Sequence, residues 1–285
     1  MREAALASGG AREAGRPTIR PGSLPLFAES SVVGAAALFV IFLLLPLLAL
    51  LWRSWTAGSL WKGIHEPVVV HALALTVTTT AMTVALSIAF GTPLAFLLAR
   101  RRFPGRQIVD ALVTLPLVLP PLVAGVALLM AFGRRGLLGD QLGALGVEVP
   151  FTTGAVVLAE LFVAGPFFVR SAKVGFEAVS RAMEDAAAIS GAGTWETFRY
   201  VTLPLAMPSM VSGGVLCAAR AFSEFGATLM FAGNLEGRTQ TMSLAIESAM
   251  QTDLGAALAL SLVLVIIAAV ALAIPLVLVR NTTVM

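Results

Sequence analysis

Three charged residues stand well inside long apolar runs of the sequence, where a charged side chain is costly and usually serves a function. They are Glu160, Arg220 and Glu224. Arg220 and Glu224 are four residues apart, so on a helix they would share a face and could form an ion pair. Glu160 is a second possible partner for Arg220. The chemistry open to this group is either attraction of an anion by the arginine or an ionic clamp between helices.

A second polar group consists of threonines spaced along one face of a predicted helix, namely Thr76, Thr80 and Thr83. Hydroxyl groups at this spacing commonly form hydrogen bonds between helices inside a membrane. They could also line a polar path, and the sequence leaves both interpretations open.

The sequence offers little for catalysis or metal binding. It has two histidines and one cysteine, Cys217, so neither a disulfide framework nor a structural metal site is expected. Its two lysines, Lys62 and Lys173, lie in no G-x-x-x-x-G-K-[ST] motif, so the chain lacks the usual phosphate-binding loop. We expect a protein that is not an enzyme, uses no cofactor and binds no nucleic acid.

The composition indicates a membrane protein. Of 285 residues, 58% are hydrophobic and 12% are charged, whereas about 25% of the residues of a soluble domain are charged. A membrane-spanning helix needs about 20 mostly apolar residues, and six runs qualify. They lie at about 32–52, 72–99, 108–132, 151–169, 208–233 and 255–279. The sequence therefore predicts an all-α membrane protein with six transmembrane helices, the third of them kinked or partly unwound at Pro116, Pro120 and Pro121.

The positive charges predict the orientation of these helices. Thirteen of the 19 lysines and arginines fall in the amino-terminal segment, the second and fourth connections and the carboxyl terminus. Cytoplasmic loops carry such an excess, so both termini are expected in the cytoplasm. The predicted organisation is a disordered tail over 1–31, a six-helix domain over 32–280 with a long cytoplasmic loop over 171–204, and a short tail over 281–285.

The cytoplasmic loop contains the segment E-D-A-A-A-I-S-G-A-G-T-W-E-T-F-R-Y-V-T-L-P, residues 184–204. Its alanine-rich start favours a short helix over 183–189, and Gly191 and Gly193 suit the end of that helix. Three aromatic residues follow, Trp195, Phe198 and Tyr200. We expect an exposed cluster, typical of anchors at protein interfaces, and the alternative is that these rings pack back onto the helical bundle. This pattern resembles the signature loop of permease subunits in binding-protein-dependent ABC importers. The residues that match it in register are Asp185, Ala186, Ala187, Gly191, Val201, Leu203 and Pro204.

The resemblance implies a type I importer permease whose loop forms a coupling helix that contacts a separate ATPase. Asp185 replaces the usual Glu and Val201 the usual Ile, and Glu184 precedes Asp185, so which acid contacts the ATPase stays open. The implied partners are a cytoplasmic ATPase dimer that hydrolyses ATP, an extracytoplasmic oxyanion-binding protein, membrane lipid and a second permease copy, with a different sister permease as the alternative to that copy. The implied location is the cytoplasmic membrane of a bacterium or archaeon.

The fifth apolar run makes the resemblance more specific, because it points to one group of importer permeases. Its sequence R-A-F-S-E-F-G-A-T-L-M-F-A-G-N, followed by G-R-T-Q-T, resembles the corresponding region of molybdate permeases. Related sulfate and thiosulfate permeases commonly carry Tyr-Gly after the acid, where this chain has Phe225-Gly226. The resemblance implies transport of molybdate and also tungstate, with sulfate or another oxyanion as the alternative. The candidates for the translocation path come instead from the polar side chains inside the predicted spans: Arg220, Glu224, Glu160, Thr76 and Thr80.

Two other classes of membrane protein remain as rivals. A secondary transporter driven by an ion gradient would favour inverted repeats and several intramembrane acids, and no clear repeat relates the two halves. A membrane-embedded enzyme would need clustered catalytic residues near the end of a span, and the two histidines have no such neighbours.

Overall fold

A computed structural model describes residues 26–56 and 67–282 of the chain, and side chains within 31–56 and 67–270. All regular structure in these residues is helical. The helices are α1 Leu26–Thr56, α2 Pro67–Arg100, α3 Arg106–Val118, α4 Pro121–Phe132, α5 Gly139–Ala144, α6 Thr153–Ala178, α7 Arg181–Ile189, α8 Thr194–Thr197, α9 Leu203–Phe222, α10 Gly226–Ala232, α11 Met242–Thr252 and α12 Leu254–Thr282. A π-helical turn, Phe198–Thr202, joins α8 to α9.

By its internal contacts the chain divides into two units, Met1–Ala49 and Leu50–Met285. In the first unit, α1 already begins at Leu26, inside the segment assigned to a disordered tail, and residues 1–25 lie outside the described part. The described side chains of 32–49 are exposed and almost all apolar. A helix that is apolar all round suits a lipid environment.

Four helical segments of the described part are long and apolar enough to cross a membrane: Ser31–Thr56, Pro67–Arg100, Thr153–Ala178 and Thr194–Phe222. Two further apolar helical segments are shorter, Pro121–Phe132 and Leu254–Val270. α12 itself continues to Thr282, into the segment predicted as a carboxyl-terminal tail, of which 283–285 lie outside the described part.

The third apolar run is broken at Pro120 and Pro121, as the sequence predicted, but not at Pro116, which lies inside α3. α3 ends at Val118, Leu119 and Pro120 have extended ψ angles of 136° and 133°, and α4 begins at Pro121. Proline lacks the backbone donor of a helix interior but fits the first helical position. The break is therefore local and the helix restarts at once.

Two predicted boundaries are wrong. The fourth predicted transmembrane helix corresponds to α6, which does not end near residue 169 but continues to Ala178. Arg170 and Lys173 therefore lie in this helix and not in a loop. Their side chains have polar partners on α3: Lys173 Nζ lies 2.8 Å from Asp110 Oδ1, and Arg170 donates to Thr114 Oγ1. The fifth run is not one helix over 208–233, because α9 ends at Phe222 and α10 starts at Gly226.

The centre of the second unit is formed by α2, α6 and α9, whose buried side chains make one apolar cluster. Small residues bring α6 and α9 close together. A Cβ on Gly213 would lie 2.6 Å from Ser171 Cβ, and one on Gly175 would lie 2.6 Å from Ser209 Cβ. Such contacts between small residues allow tight helix packing in membranes. Smaller apolar clusters join α4 and α10 to α6, and α11 and α12 to α2.

Candidate functional site

The alanine-rich part of the signature segment forms α7, which confirms the predicted short helix and extends it to Arg181. The helix ends because Gly191 adopts a left-handed conformation with φ +92°. The N–H groups of Gly191 and Ala192 then donate to the carbonyls of Ala188 and Ala187, both at 3.0 Å. A glycine in this position closes a helix without the steric cost that a Cβ would add.

Glu184 lies in the first turn of α7 and turns toward the bundle. Its Oε1 is 3.1 Å from Arg100 Nη2, at the end of α2, and accepts a hydrogen bond of 2.7 Å from Thr202 Oγ1, at the end of the π turn. Arg100 Nη2 also donates to the carbonyl of Val179, just after α6. One ion pair therefore joins α7 to three neighbouring elements.

Asp185, the adjacent acid, is arranged differently. Its side chain is exposed, and no hydrogen bond or ion pair involves it within the described residues. It lies just beyond the first turn, because α7 begins two residues earlier than expected. Ala186 and Gly191 are also exposed, whereas Ala187 is half-buried.

The three aromatic residues of the segment divide between the bundle and the surface. Phe198 packs inward, with ring centroids 5.0 Å from Phe96 and 6.3 Å from Phe176. Trp195 stacks on Phe198 at 5.7 Å but is mostly exposed. Tyr200 is exposed beside the Arg199 guanidinium, which lies 5.7 Å from the ring centre. The expectation of an exposed aromatic cluster is wrong for Phe198, because this ring fills a gap between α2 and α6.

The V-T-L-P end of the segment leads into a long helix. Val201 is half-buried in the π turn, Leu203 is the first residue of α9, and Pro204 lies in the first turn of that helix. Proline is tolerated there because the first turn has backbone N–H groups without helical partners. The matched residues therefore place α9 directly after the α7–α8 segment.

The second polar site lies between α9 and α10. Arg220 Nη2 is 2.5 Å from Glu224 Oε2, so the two residues pair as predicted. The predicted reason is wrong, however, because the helix ends at Phe222 and Glu224 lies beyond it. Glu224 Oε1 accepts a hydrogen bond of 2.8 Å from the N–H of Ala227, in the first turn of α10. The carboxylate is thus both the counter-ion of Arg220 and a cap for the next helix.

Glu160 is not a partner of Arg220 in this structure. Thr79 Oγ1 donates to its Oε1 at 2.8 Å, and Thr83 Oγ1 donates to its Oε2 at 2.9 Å. Glu160 is 1% exposed. A buried carboxyl needs such donors, so α2 and α6 are joined here by two hydrogen bonds between side chains.

The two other threonines proposed for a path differ from each other. Thr76 Oγ1 donates to the carbonyl of Ala72 and accepts from the N–H of Met242, at the start of α11. Thr80 Oγ1 is buried and has no hydrogen-bond partner in the described structure. The hydroxyl of Thr76 therefore has hydrogen-bond partners within the fold, whereas that of Thr80 has none among the described residues.

Sequence reasoning missed three residues of these sites: Arg100, Thr202 and Thr79. Arg100 is the first of three consecutive arginines and was used only to predict orientation. Thr202 lies inside V-T-L-P, between two matched positions. Thr79 is three residues after Thr76 and four before Thr83, so helical spacing alone could have placed it with them.

Comparison with known proteins gives a consistent result. Residues 91–283 match the family described as "Binding-protein-dependent transport system inner membrane component". The chain is 44% identical over 221 residues to the molybdenum transport system permease protein ModB of Mycobacterium tuberculosis, with 77% of this chain and 83% of the relative covered. It is 37% identical over 233 residues to the sulfate transport system permease protein CysT of Escherichia coli, with coverage of 80% and 83%.

Solved structures agree on the fold. A bacterial ABC transporter involved in the import of the acidic polysaccharide alginate superposes with a TM-score of 0.72 at 15% identity, covering 91% of this chain and 96% of the other.

Proposed function

The chain belongs to the family of inner membrane components of binding-protein-dependent transport systems, and from this premise we propose that it imports molybdate, and also tungstate. It is an integral inner-membrane permease of the ABC importer class, a transport component. The observation that carries the substrate assignment is the 44% identity over 221 residues to a molybdenum permease.

Sulfate import is the second candidate, and a specific observation favours it. Identity to a sulfate permease is 37% over 233 residues, close enough for the two oxyanion classes to share a framework. Molybdate is preferred because the molybdenum relative is more similar and because Phe225-Gly226 follows Glu224.

We propose that α7 is the coupling helix and docks on a cytoplasmic ATPase, which hydrolyses ATP. Its exposed face offers the free carboxylate of Asp185, the small side chain of Ala186 and the backbone at Gly191. Trp195 and Tyr200 add exposed aromatic area next to it, the type of side chain that anchors protein interfaces.

The assembly we propose contains two copies of this permease, two ATPase subunits and an extracytoplasmic oxyanion-binding protein. Closure of the ATPase pair on ATP would move both coupling helices together and open the path outward, and hydrolysis would reset it. Such a cycle needs two conformations that nucleotide biases. The domain over 32–280 would span the membrane six times, with the α3–α4 pair as the third span, the 171–204 segment on the cytoplasmic side and both termini in the cytoplasm.

For the translocation path, Glu160, Arg220, Glu224, Thr76 and Thr80 remain the candidates. Four of them already have partners inside the described fold. Thr80 is the one whose hydroxyl is unused, so it is the first to test for contact with a passing oxyanion.

The proposal is tested by reconstituting the permease with its ATPase in liposomes and adding the binding protein with molybdate, tungstate or sulfate. We expect ATP hydrolysis to be stimulated, and uptake to occur, with molybdate and tungstate. Stimulation by sulfate alone would overturn the substrate and keep the importer class. Uptake that depends on an ion gradient and not on ATP would indicate a secondary transporter instead.

The coupling role of α7 is tested by Gly191→Pro, because proline cannot adopt φ +92° or donate to Ala188. We expect ATP-driven uptake to fall about tenfold or more, within the usual range of coupling energies. Gly146→Pro is the matched control. Gly146 also has a positive φ, of 70°, and its N–H also donates to a backbone carbonyl, but it lies after α5. A bulky Ala187→Trp change should act like Gly191→Pro, and normal uptake by both at equal expression would contradict the assignment.

A further inference from the structure

A partly buried ion pair connects the proposed coupling helix with the end of a transmembrane helix. The side chains of Arg100 and Glu184 are 11% and 23% exposed. Both contacts of the guanidinium come from one atom, Nη2, which is 3.1 Å from Glu184 Oε1 and 2.8 Å from the carbonyl oxygen of Val179. Ion pairs on an open surface contribute little to stability. A partly buried pair with charge-assisted hydrogen bonds, such as this one, fixes the relative position of its two residues more strongly.

The same carboxylate oxygen reaches a third element. Thr202 Oγ1 donates to Glu184 Oε1 at 2.7 Å, and Thr202 is 1% exposed, next to the start of α9. A π turn over Phe198–Thr202 brings this hydroxyl to the carboxylate, and π turns are frequent at functional sites. The ion pair therefore contacts residues next to the ends of three helices: Arg100 at the end of α2 binds the carbonyl of Val179 after α6, and Glu184 binds Thr202 before α9.

Aromatic rings pack next to this ion pair and hold the same segment against the bundle. Phe198 of the π turn contacts Phe96 of α2 and Phe176 of α6, at centroid distances of 5.0 Å and 6.3 Å. Phe96 is four residues before Arg100, so the ring contact and the ion pair lie one helical turn apart on α2. The ring contacts hold the segment against the bundle, while the ion pair fixes α7 itself.

We infer that Arg100 is a positioning residue for transport. Its ion pair with Glu184 clamps the coupling helix α7 to the ends of α2, α6 and α9. A displacement of α7 by the ATPase then moves the ends of these three helices together with it. Glu184 then serves the clamp, and Asp185 is the acid that faces the ATPase. This inference rests on the proposed function. Without the clamp, α7 keeps its exposed docking face, but its motion is transmitted poorly to the spanning helices.

The inference is tested with Arg100→Ala and Glu184→Gln in the reconstituted complex, measuring ATP hydrolysis and oxyanion uptake separately. We expect uptake per ATP hydrolysed to fall about tenfold, a typical coupling effect, while the ATPase still copurifies with the permease. Arg102→Ala is the matched control, because Arg102 is an exposed neighbour of the same charge outside the ion pair. The reversed pair, Arg100→Glu with Glu184→Arg, should recover a large part of the loss.

Two results would overturn the clamp. One is uptake per ATP within about twofold of the unmodified complex in both single variants. The other is a lower yield of copurified ATPase in Glu184→Gln with an unchanged ratio in the complex that still forms, which would make Glu184 an ATPase contact.

A readout independent of transport separates this inference from the proposed function. Hydrogen exchange of the backbone amides of α7, measured on the full-length permease with its ATPase, should speed up in Arg100→Ala and not in Arg102→Ala. If the unmodified complex shows no ATP-linked uptake, the proposed function fails, yet faster exchange would still support the clamp. Unchanged exchange in Arg100→Ala would contradict it.

Discussion

Segment 181–204 and the polar centre of the bundle, formed by Glu160, Glu224 and their partners, both contain carboxylates. The two regions differ in what those carboxylates can still bind. In the centre, Glu160 and Glu224 are 1% and 2% exposed, and all four oxygens have partners in two hydroxyls, one backbone N–H and one guanidinium. In the segment, Glu184 is held within the fold, whereas Asp185 is exposed and has no partner there. The group available to another molecule is therefore in the segment.

This difference has a physical cause. A carboxylate inside a bundle must be satisfied by the protein itself because no water is at hand. Its charge then stabilises contacts between helices, and an arginine that it neutralises, as Glu224 does Arg220, attracts a passing anion only weakly. An exposed carboxylate such as that of Asp185 is solvated and can exchange water for a cation of a partner protein. The following changes test this contrast, from the largest expected effect to the smallest.

Removing the carboxylate of Glu224 should reduce the free energy of unfolding more than any of the other changes. Glu224→Leu leaves the Arg220 guanidinium without its counter-ion, which typically costs about 3 kcal/mol or more. The measurement is the thermal unfolding of the purified permease in detergent, with Glu236→Ala in an exposed loop as the control.

The double variant Arg220→Leu with Glu224→Leu sharpens this result. It should be more stable than Glu224→Leu alone, because it has no unpaired charge. Retained uptake would identify the pair as a helix clamp, whereas a stable protein without uptake would place Arg220 on the anion path.

Thr79→Val should have an intermediate effect. It removes one of the two hydroxyl donors of the buried Glu160, and leaving a buried acceptor unsatisfied costs about 1.5 kcal/mol. Thermal unfolding is again the measurement, with uptake expected to follow the amount of folded protein. Equal stability of this variant and the unmodified permease would mean that Glu160 finds another donor.

Asp185→Asn should leave stability unchanged and weaken the ATPase contact. Loss of one exposed charge at an interface is expected to reduce the affinity about fivefold, or about 1 kcal/mol. The affinity of the purified permease for the ATPase is measured in detergent. Asp140→Asn, an exposed acid on α5, is the control. If Asp185→Asn binds normally, the free acid is not the docking group.

Thr80→Val should have the smallest effect on stability. Its hydroxyl is buried without a partner, so an isosteric apolar side chain is expected to change the free energy of unfolding by less than about 0.5 kcal/mol. The informative test compares the stability of this variant with its uptake of molybdate. A stable Thr80→Val protein with reduced molybdate uptake would assign this hydroxyl to the path, and unchanged uptake would remove it from the candidates.

Much of the fold could be predicted from the sequence because its signals are local. Runs of apolar residues located the apolar helices, prolines located the break at Leu119–Pro120, and glycine located the end of α7. The helix boundaries near Ala178 and Phe222 could not be located this way. α6 continues past the apolar run because Lys173 has a partner on α3, and α9 stops where Glu224 begins to cap α10.

The sequence by itself determined the class of protein and the position of the signature segment, because hydropathy and short motifs are properties of neighbouring residues. It left Glu224 and Glu160 open as partners of Arg220, and the packing of the helices decided for Glu224. Only the tertiary structure decided which acid is free and which is held. Glu184 and Asp185 are adjacent and chemically alike, and they differ because helix α7 directs one toward Arg100, 84 positions earlier in the chain, and the other away from the bundle. Contacts between residues so far apart depend on how the helices pack, which local pattern does not encode.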